Sequence, residues 1–335
     1  MKDRNTSRAD RHGLWLDLAM VVLMIAAFGW LAFGPGFAFA TSGIGALLAF
    51  PFAIGALYAR RMYTADDYPL TGCLIIPVAL LVAILAVVWL GGFEGLICIA
   101  MILPLWIVGG AGGAFAVYLL RYTAGDGDAD SGGARLNSVG LALAPFAIIW
   151  AEMTAPAPWE DRIVSRSIDI DAPPSEIWPY LVEIPDIAEN EGRRTFTHDL
   201  LGVARPREAR LVHRAGLLVR KARWGRDIRF EEIVTKVVPG RSIAWLFAFP
   251  DDSIQRYTDR HIAPDGPILK LVGGGYDLHP REDGSTRVVL STHYRMRSRL
   301  GWYLGWWGER TLGDIEENVL AIIRDRSGNV TDRRS

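Results

Sequence analysis

Residues 70–93 contain no Asp, Glu, Lys or Arg, and most of the chain before residue 158 is built in the same way. Positions 1–157 hold only 18 of the chain's 73 Asp, Glu, Lys and Arg residues. A bilayer span needs about 20 mostly apolar residues. Four runs meet that length, 13–33, 39–58, 71–90 and 95–120, and a fifth, Ser138–Thr154, sits near the lower limit. The first run is too long for the apolar core of a cleaved signal peptide, and a second follows soon after a Gly-Pro-Gly turn at 34–36. The expected layout is an all-α polytopic membrane domain of four to five transmembrane helices at 1–157, then a second domain at 158–335.

Loop charges predict the orientation, because Lys and Arg concentrate on the cytoplasmic side. Lys2, Arg4, Arg8 and Arg11 precede the first span, Arg60 and Arg61 follow the second, and Arg121 and Arg135 follow the fourth. The turns after the first and third spans carry none, which places the N-terminus inside. The fifth run then decides where the C-terminal domain lies. If Ser138–Thr154 crosses, the domain is outside, periplasmic or extracellular; if not, it is cytoplasmic. Five spans is the preferred reading, because 123–133 is a flexible Gly/Asp loop and the run after it is too apolar to leave in water.

Pro51, Pro77, Pro104 and Pro145 fall inside spans. They fit either a broken-helix transport site or the ordinary tolerance of proline in membrane helices. Gly109-x-x-x-Gly113 allows close helix approach, within the chain or between copies. Asp17 and Glu94 lie near span ends, where headgroup contact explains them. Cys73 and Cys98 lie in apolar runs at opposite ends of the topology, so they read as small apolar residues rather than as a disulfide.

After a Pro-containing linker at 155–159, the rhythm changes. Val164, Ile168 and Ile170 alternate with polar residues as in a strand. Ala172-Pro-Pro-Ser-Glu176 starts a helix carrying Ile177, Leu181 and Ile184, with Pro179 inside it. Strands are predicted at 210–223 and 226–238 around Trp224-Gly225, at 242–249, and at 270–279 and 286–296 around the Asp283-Gly284 turn. Gly273-Gly-Gly275 reads as a bulge or strand bend. A closing helix at about 307–326 shows Leu312, Ile315, Val319 and Ile322 on one face. The order strand, helix, antiparallel strands, long helix is an α+β layout.

Ser167-Ile-Asp-Ile-Asp-Ala-Pro-Pro-Ser-Glu-Ile-Trp178 and the following Pro-Tyr-Leu-Val-Glu183 resemble the opening of the START-like, polyketide cyclase/dehydrase and lipid-transport superfamily (SRPBCC). Phe230-Glu-Glu-Ile-Val234 leading to Pro239-Gly-Arg241, and Gly274-Gly-Tyr276 through His293-Tyr-Arg295 to the last helix, extend the resemblance over about 162–327. It implies a helix-grip fold, in which a curved sheet wraps a C-terminal helix. It brings no shared catalytic motif, because the superfamily spans lipid carriers, receptors and cyclases.

The net charge of −1 argues against a nucleic-acid partner. No metal motif, P-loop, nucleophile elbow or dinucleotide fingerprint is present, so neither metal nor cofactor is expected. In a helix-grip domain alternate strand residues face a ligand cavity, and Glu232 shares the phase of Ile228, Phe230 and Val234. A carboxylate there serves as a catalytic acid or base, pairs with an arginine such as Arg220, or sits at the rim. Arg220 and Arg223 are placed on the solvent face. Trp224, Phe230, Trp245, Phe247, Tyr276, Tyr294 and Trp306 are candidate ligand-binding residues, with core packing the alternative. His293 is either a ligand contact or a surface residue. The aromatic segment Trp302-Tyr-Leu-Gly-Trp-Trp307 either touches the bilayer or packs the start of the closing helix.

These features lead to three expectations. The first is a membrane-anchored module binding a hydrophobic small molecule or lipid. The second is a cyclase or dehydratase using Glu232 or His293. The third is a sensor or assembly module that binds a protein.

Overall fold

The structure, a computed structural model, describes residues 3–33, 42–62, 70–124 and 138–332. Lys2, the turn at 34–36, nearly all of the 123–133 loop and Arg135 lie outside the described residues, as do the side chains of Arg4, Arg8, Arg11, Asp17, Arg61, Cys73 and Arg121. The chain divides into two compact units. One contains Met1–Phe93, Ile99–Ala157 and Ser298–Leu300, and the other contains Glu94–Cys98, Pro158–Arg297 and Gly301–Ser335.

The first unit is helical: α1 (Asp3–Phe33), a π-helical segment (Gly45–Ala49) running into α2 (Phe50–Met62), α3 (Leu70–Leu90), α4 (Leu96–Ala124) from Ile99 onward, and α5 (Ser138–Thr154). Among the described residues, one stretch, Leu96–Leu120, is long and apolar enough to cross a membrane; Leu18–Ala32, Gly45–Arg60, Leu74–Leu90 and Ser138–Thr154 are shorter apolar helices. Pro77, Pro104 and Pro145 sit inside α3, α4 and α5, and Pro51 is in the first turn of α2. Gly109 of α4 presses on Leu48 of the π-helical segment and on Pro51, and Gly113 on the backbone of α2 at Phe52, where a Cβ would collide. Their spacing therefore serves packing within the chain. Glu152 of α5 accepts the backbone N–H groups of Ile44 and Gly45 at 2.8 and 3.1 Å.

The second unit contains a seven-stranded antiparallel sheet in the order β1-β7-β6-β5-β4-β3-β2. Its strands are β1 (Glu160–Ile170), β2 (Pro206–Arg214), β3 (Leu217–Trp224), β4 (Ile228–Val238), β5 (Ser242–Ala248), β6 (Leu269–Pro280) and β7 (Thr286–Met296). The connection from β1 to β2 spans the sheet edge to edge and holds α6 (Pro174–Val182) and α7 (Phe196–Asp199). The short helix α8 (Ser253–Tyr257) follows β5, and α9 (Gly301–Asp332) closes the domain against β1, β7, α6 and α7. This is a helix-grip arrangement.

Three expectations are corrected. The predicted strand at 210–223 is a hairpin, β2 and β3, joined at Ala215-Gly216, where both residues have positive φ, 51° and 80°. Such a turn suits Asn-Gly or Gly-Gly, so an alanine hides it. The closing helix begins six residues earlier than expected, at Gly301. Its buried face also extends beyond the expected one. Of the expected stripe Ile322 is buried and Leu312, Ile315 and Val319 are partly buried, whereas Glu316, Leu320, Ile323 and Ser327 are buried as well. The bulge expected around Gly273 is present, between Leu271 and Gly273 of β6. Gly274 leaves no room for a side chain, because a Cβ there would stand 2.8 Å from the Ser291 carbonyl oxygen and 3.1 Å from the Trp245 indole.

The core joins sheet and helices. Ile170, Ile177, Leu181, Ile243, Leu290 and Leu320 are all buried in one cluster that also includes Trp245 and Tyr276.

Candidate functional site

Cross-strand register assembles a polar group within this apolar interior. Arg220 of β3 stands opposite Glu232 of β4, and Glu232 stands opposite Phe247 of β5. In the next rows Val234, Trp245, Gly274 and Thr292 follow one another across four strands, as do Ile243, Tyr276 and Leu290 across three. Glu316 reaches this interior from α9, beside Thr292. Of the set expected to face inward on β4, Ile228, Phe230 and Glu232 are buried and Val234 is partly buried, while Glu231 of the opposite phase is buried against Arg214.

Arg220 is 3% exposed, which corrects its expected place on the solvent face. Its Nη1 lies 2.8 Å from Glu232 Oε2, and its guanidinium lies 5.0 Å from the centre of the Trp245 ring and 5.8 Å from that of Tyr276. The register explains the burial: Arg220 is two residues from Ala222 on the face that also carries buried Phe230 across the strand pair. Arg223 is on the solvent side, paired with Glu208 at 3.0 Å.

Burial raises the Glu232 carboxyl above its ordinary range, and Arg220 offsets part of the rise. Glu316 is 1% exposed, and burial pushes it up to about 8, with Thr292 and Arg166 opposing. Burial likewise raises Tyr276 to about 12. At neutral pH Glu316 is therefore chiefly a neutral carboxylic acid, a hydrogen-bond donor inside an apolar shell. Both Glu316 oxygens, Glu232 Oε2, Arg220 Nε and Trp245 Nε1 are buried without a hydrogen bond of good geometry among the described residues. The contact between Arg220 and Glu232 is thus an ion pair of short distance but poor alignment. Buried polar atoms usually find partners, so their concentration here makes this group the candidate site.

The other sequence candidates divide. Phe230, Trp245, Tyr276 and Tyr294 are buried, and Trp224 and Phe247 are partly buried and meet Phe230 edge to face, with ring centres at 5.6 and 5.9 Å. Trp306 is 59% exposed and Trp302 is exposed too, whereas Trp307 turns inward. Trp306 therefore does not join the interior cluster. His293 is on the other face of β7, hydrogen-bonded to Asp161 at 2.8 Å, and takes no part in it.

Sequence reasoning missed Glu316, Thr292 and His198. The His198 Nδ1 lies 2.8 Å from the Val203 carbonyl, its ring is 6.3 Å from Trp224, and burial lowers its pKa. Asp314 anchors α7 to α9 by accepting the Thr197 N–H and hydroxyl at 3.0 and 2.9 Å. A separate open concavity of about 390 Å³ is lined by Asp186, Ile187, Arg207, Arg223, Gly225 and Arg226, with none of the candidate ligand-binding aromatics.

No protein-family model matches the chain, and no curated protein matches it. Solved structures do. The Zhui aromatase/cyclase from Streptomyces sp. R1128 is 15% identical over 52% of this chain and 97% of its own, with a TM-score of 0.32. Norcoclaurine synthase from Thalictrum flavum, in complex with dopamine and hydroxybenzaldehyde, is 12% identical over 53% of this chain and 90% of its own, with a TM-score of 0.33. Ara h 8.0201 is 12% identical over 52% of this chain and 99% of its own, with a TM-score of 0.30.

Proposed function

We propose that the C-terminal domain binds a largely apolar small molecule or lipid between its sheet and α9, and that the N-terminal helices anchor it in a membrane. The observation that carries the binding reading is the group Arg220, Glu232, Tyr276 and Glu316, buried inside an otherwise apolar grip. Ligand sites are mostly apolar with a few placed polar groups. Here the polar set offers a cation, a phenol and a neutral acid. A fitting ligand has an apolar body and one carbonyl or hydroxyl group, which Glu316 or Tyr276 binds by donating a hydrogen bond. Native mass spectrometry of the detergent-purified chain is expected to show one bound small molecule at unit stoichiometry; bare protein alone, after the gentlest release from the micelle, would contradict it.

A second reading is catalytic, and the raised pKa of Glu316 favours it. A carboxyl titrating near pH 8 suits general acid or base work. A cyclase or dehydratase would use Glu316 to give a proton to a ligand carbonyl or hydroxyl oxygen, while the Arg220–Glu232 pair orients Tyr276. His293, remote from this group, has no role in that chemistry.

Support for the anchor comes from the outer faces of the helical unit. Trp15, Leu23, Ile75, Val87, Val108 and Trp150 are all exposed. So much exposed apolar surface is costly in water and suits lipid. With five spans and the N-terminus inside, the C-terminal domain is outside. A phosphatase reporter active only outside the cytoplasm, fused after Ser335, is expected to be active. An inactive fusion, with an active cytoplasmic reporter at the same position, would reverse the topology.

A further inference from the structure

Away from the grip interior, four side chains with metal-ligand chemistry meet in the second unit. Glu94 lies two residues before α4, and Cys98 is in its first turn, four residues on. Asp259 and His261 lie in the turn after α8. One ligand atom each from Glu94, Cys98 and Asp259 falls within 4.8 Å of the others. His261 Nδ1 is 2.7 Å from Glu94 Oε1 and 3.9 Å from Asp259 Oδ1.

The backbone holds the cluster in place. The N–H of Gly95 donates to Asp259 Oδ2 at 2.8 Å, and the N–H of His261 donates to Asp259 Oδ1 at 2.9 Å. Asp259 is therefore fixed by two hydrogen bonds and still has lone pairs to offer. Helix capping explains Asp259, His261 pairs with Glu94, and the Cys98 thiol lies against Asp259, so the four groups form one connected polar cluster. The Glu94 side chain is only 7% exposed and that of Asp259 is fully buried. Glu94 Oε2 is buried without a hydrogen bond of good geometry among the described residues. Burial raises the Glu94 carboxyl above its ordinary range, His261 offsets part of the rise, and the second carboxylate, Asp259, adds to it. Two buried carboxylates beside a thiol are expensive unless a cation compensates them.

We propose that Glu94, Cys98, Asp259 and His261 bind a divalent transition-metal ion of zinc-like chemistry. One sulfur, one nitrogen and two carboxylate donors match the ligand types of four-coordinate zinc. Binding would displace the thiol proton of Cys98 to solvent and form a metal–thiolate bond, with Nδ1 of neutral His261 as the nitrogen donor. The linear sequence conceals the set, because 164 residues separate Gly95 from the Asp259 that caps it.

The test uses the full chain in detergent, carrying Cys73→Ala and a tag free of histidine. Titration with Co²⁺ is expected to give one equivalent bound, a thiolate-to-cobalt charge-transfer band, and displacement of that band by Zn²⁺. Cys98→Ser removes the band, and the near-isosteric Glu94→Gln weakens Co²⁺ binding at least about tenfold. No band, a band that survives Cys98→Ser, or an unchanged affinity in Glu94→Gln would each overturn the proposal.

Discussion

Glu316→Gln is expected to raise the thermal midpoint of the C-terminal domain in the full chain at about pH 8.5, and to change it little at about pH 4.5. Glu316 titrates near 8 in the fold because burial disfavours its charged form, against an ordinary value of 4.5. Below the ordinary value both folded and unfolded chains hold the proton, and there is no penalty. As pH rises from about 4.5 to about 8, the unfolded chain releases the proton and the folded chain keeps it, so stability falls. Above about 8 both are ionised, and the penalty is constant. At 1.36 kcal/mol per pK unit, the full cost is on the order of 3–5 kcal/mol. Glutamine keeps the shape and cannot ionise. The difference between variant and parent should therefore grow with pH across that window, and a difference that stays flat would contradict the burial account.

Arg220→Met should destabilise the domain by about 3–5 kcal/mol, because it leaves the Glu232 carboxylate buried with its 2.8 Å partner gone. Glu232 then escapes the cost by taking a proton, and its already raised pKa goes higher. The loss should thus be smallest at low pH and increase as pH rises above about 4.5, the ordinary carboxyl value. The double change Arg220→Met with Glu232→Leu should recover most of the stability, since apolar replacement of a buried pair is often neutral or favourable. Denaturant midpoints of the two single variants and the double variant form the cycle that checks this. Strict additivity would mean that the pair is not coupled.

The sheet was largely legible because alternation is strict where one face is buried. Glu232 could be placed inward from its phase with Ile228 and Phe230, and β7 matches its expected bounds of Thr286–Met296. What alternation cannot show is a hairpin with an unorthodox turn, and Ala215-Gly216 was read through as continuous strand. Polar residues on buried faces were harder. The face of α9 was drawn through its aliphatic side chains, yet Glu316 and Asn318 are buried beside Leu320. An apolar stripe read from composition turns away from any acid that the site requires. Arg220 is hidden for the same reason, since a cation in an alternating strand ordinarily faces solvent, whereas this one is buried. The Glu94–Asp259 cluster was illegible because its halves come from distant parts of the chain and neither half forms a motif.

The central claim, that the grip interior holds an apolar ligand against this polar group, is tested most directly by native mass spectrometry of the parent chain beside the Arg220→Met/Glu232→Leu double variant. A single bound small molecule is expected in the parent, with affinity at least about tenfold weaker in the double variant at comparable stability, the equivalent of about 1.4 kcal/mol. Equal affinity in both, or no bound molecule in the parent, would contradict it.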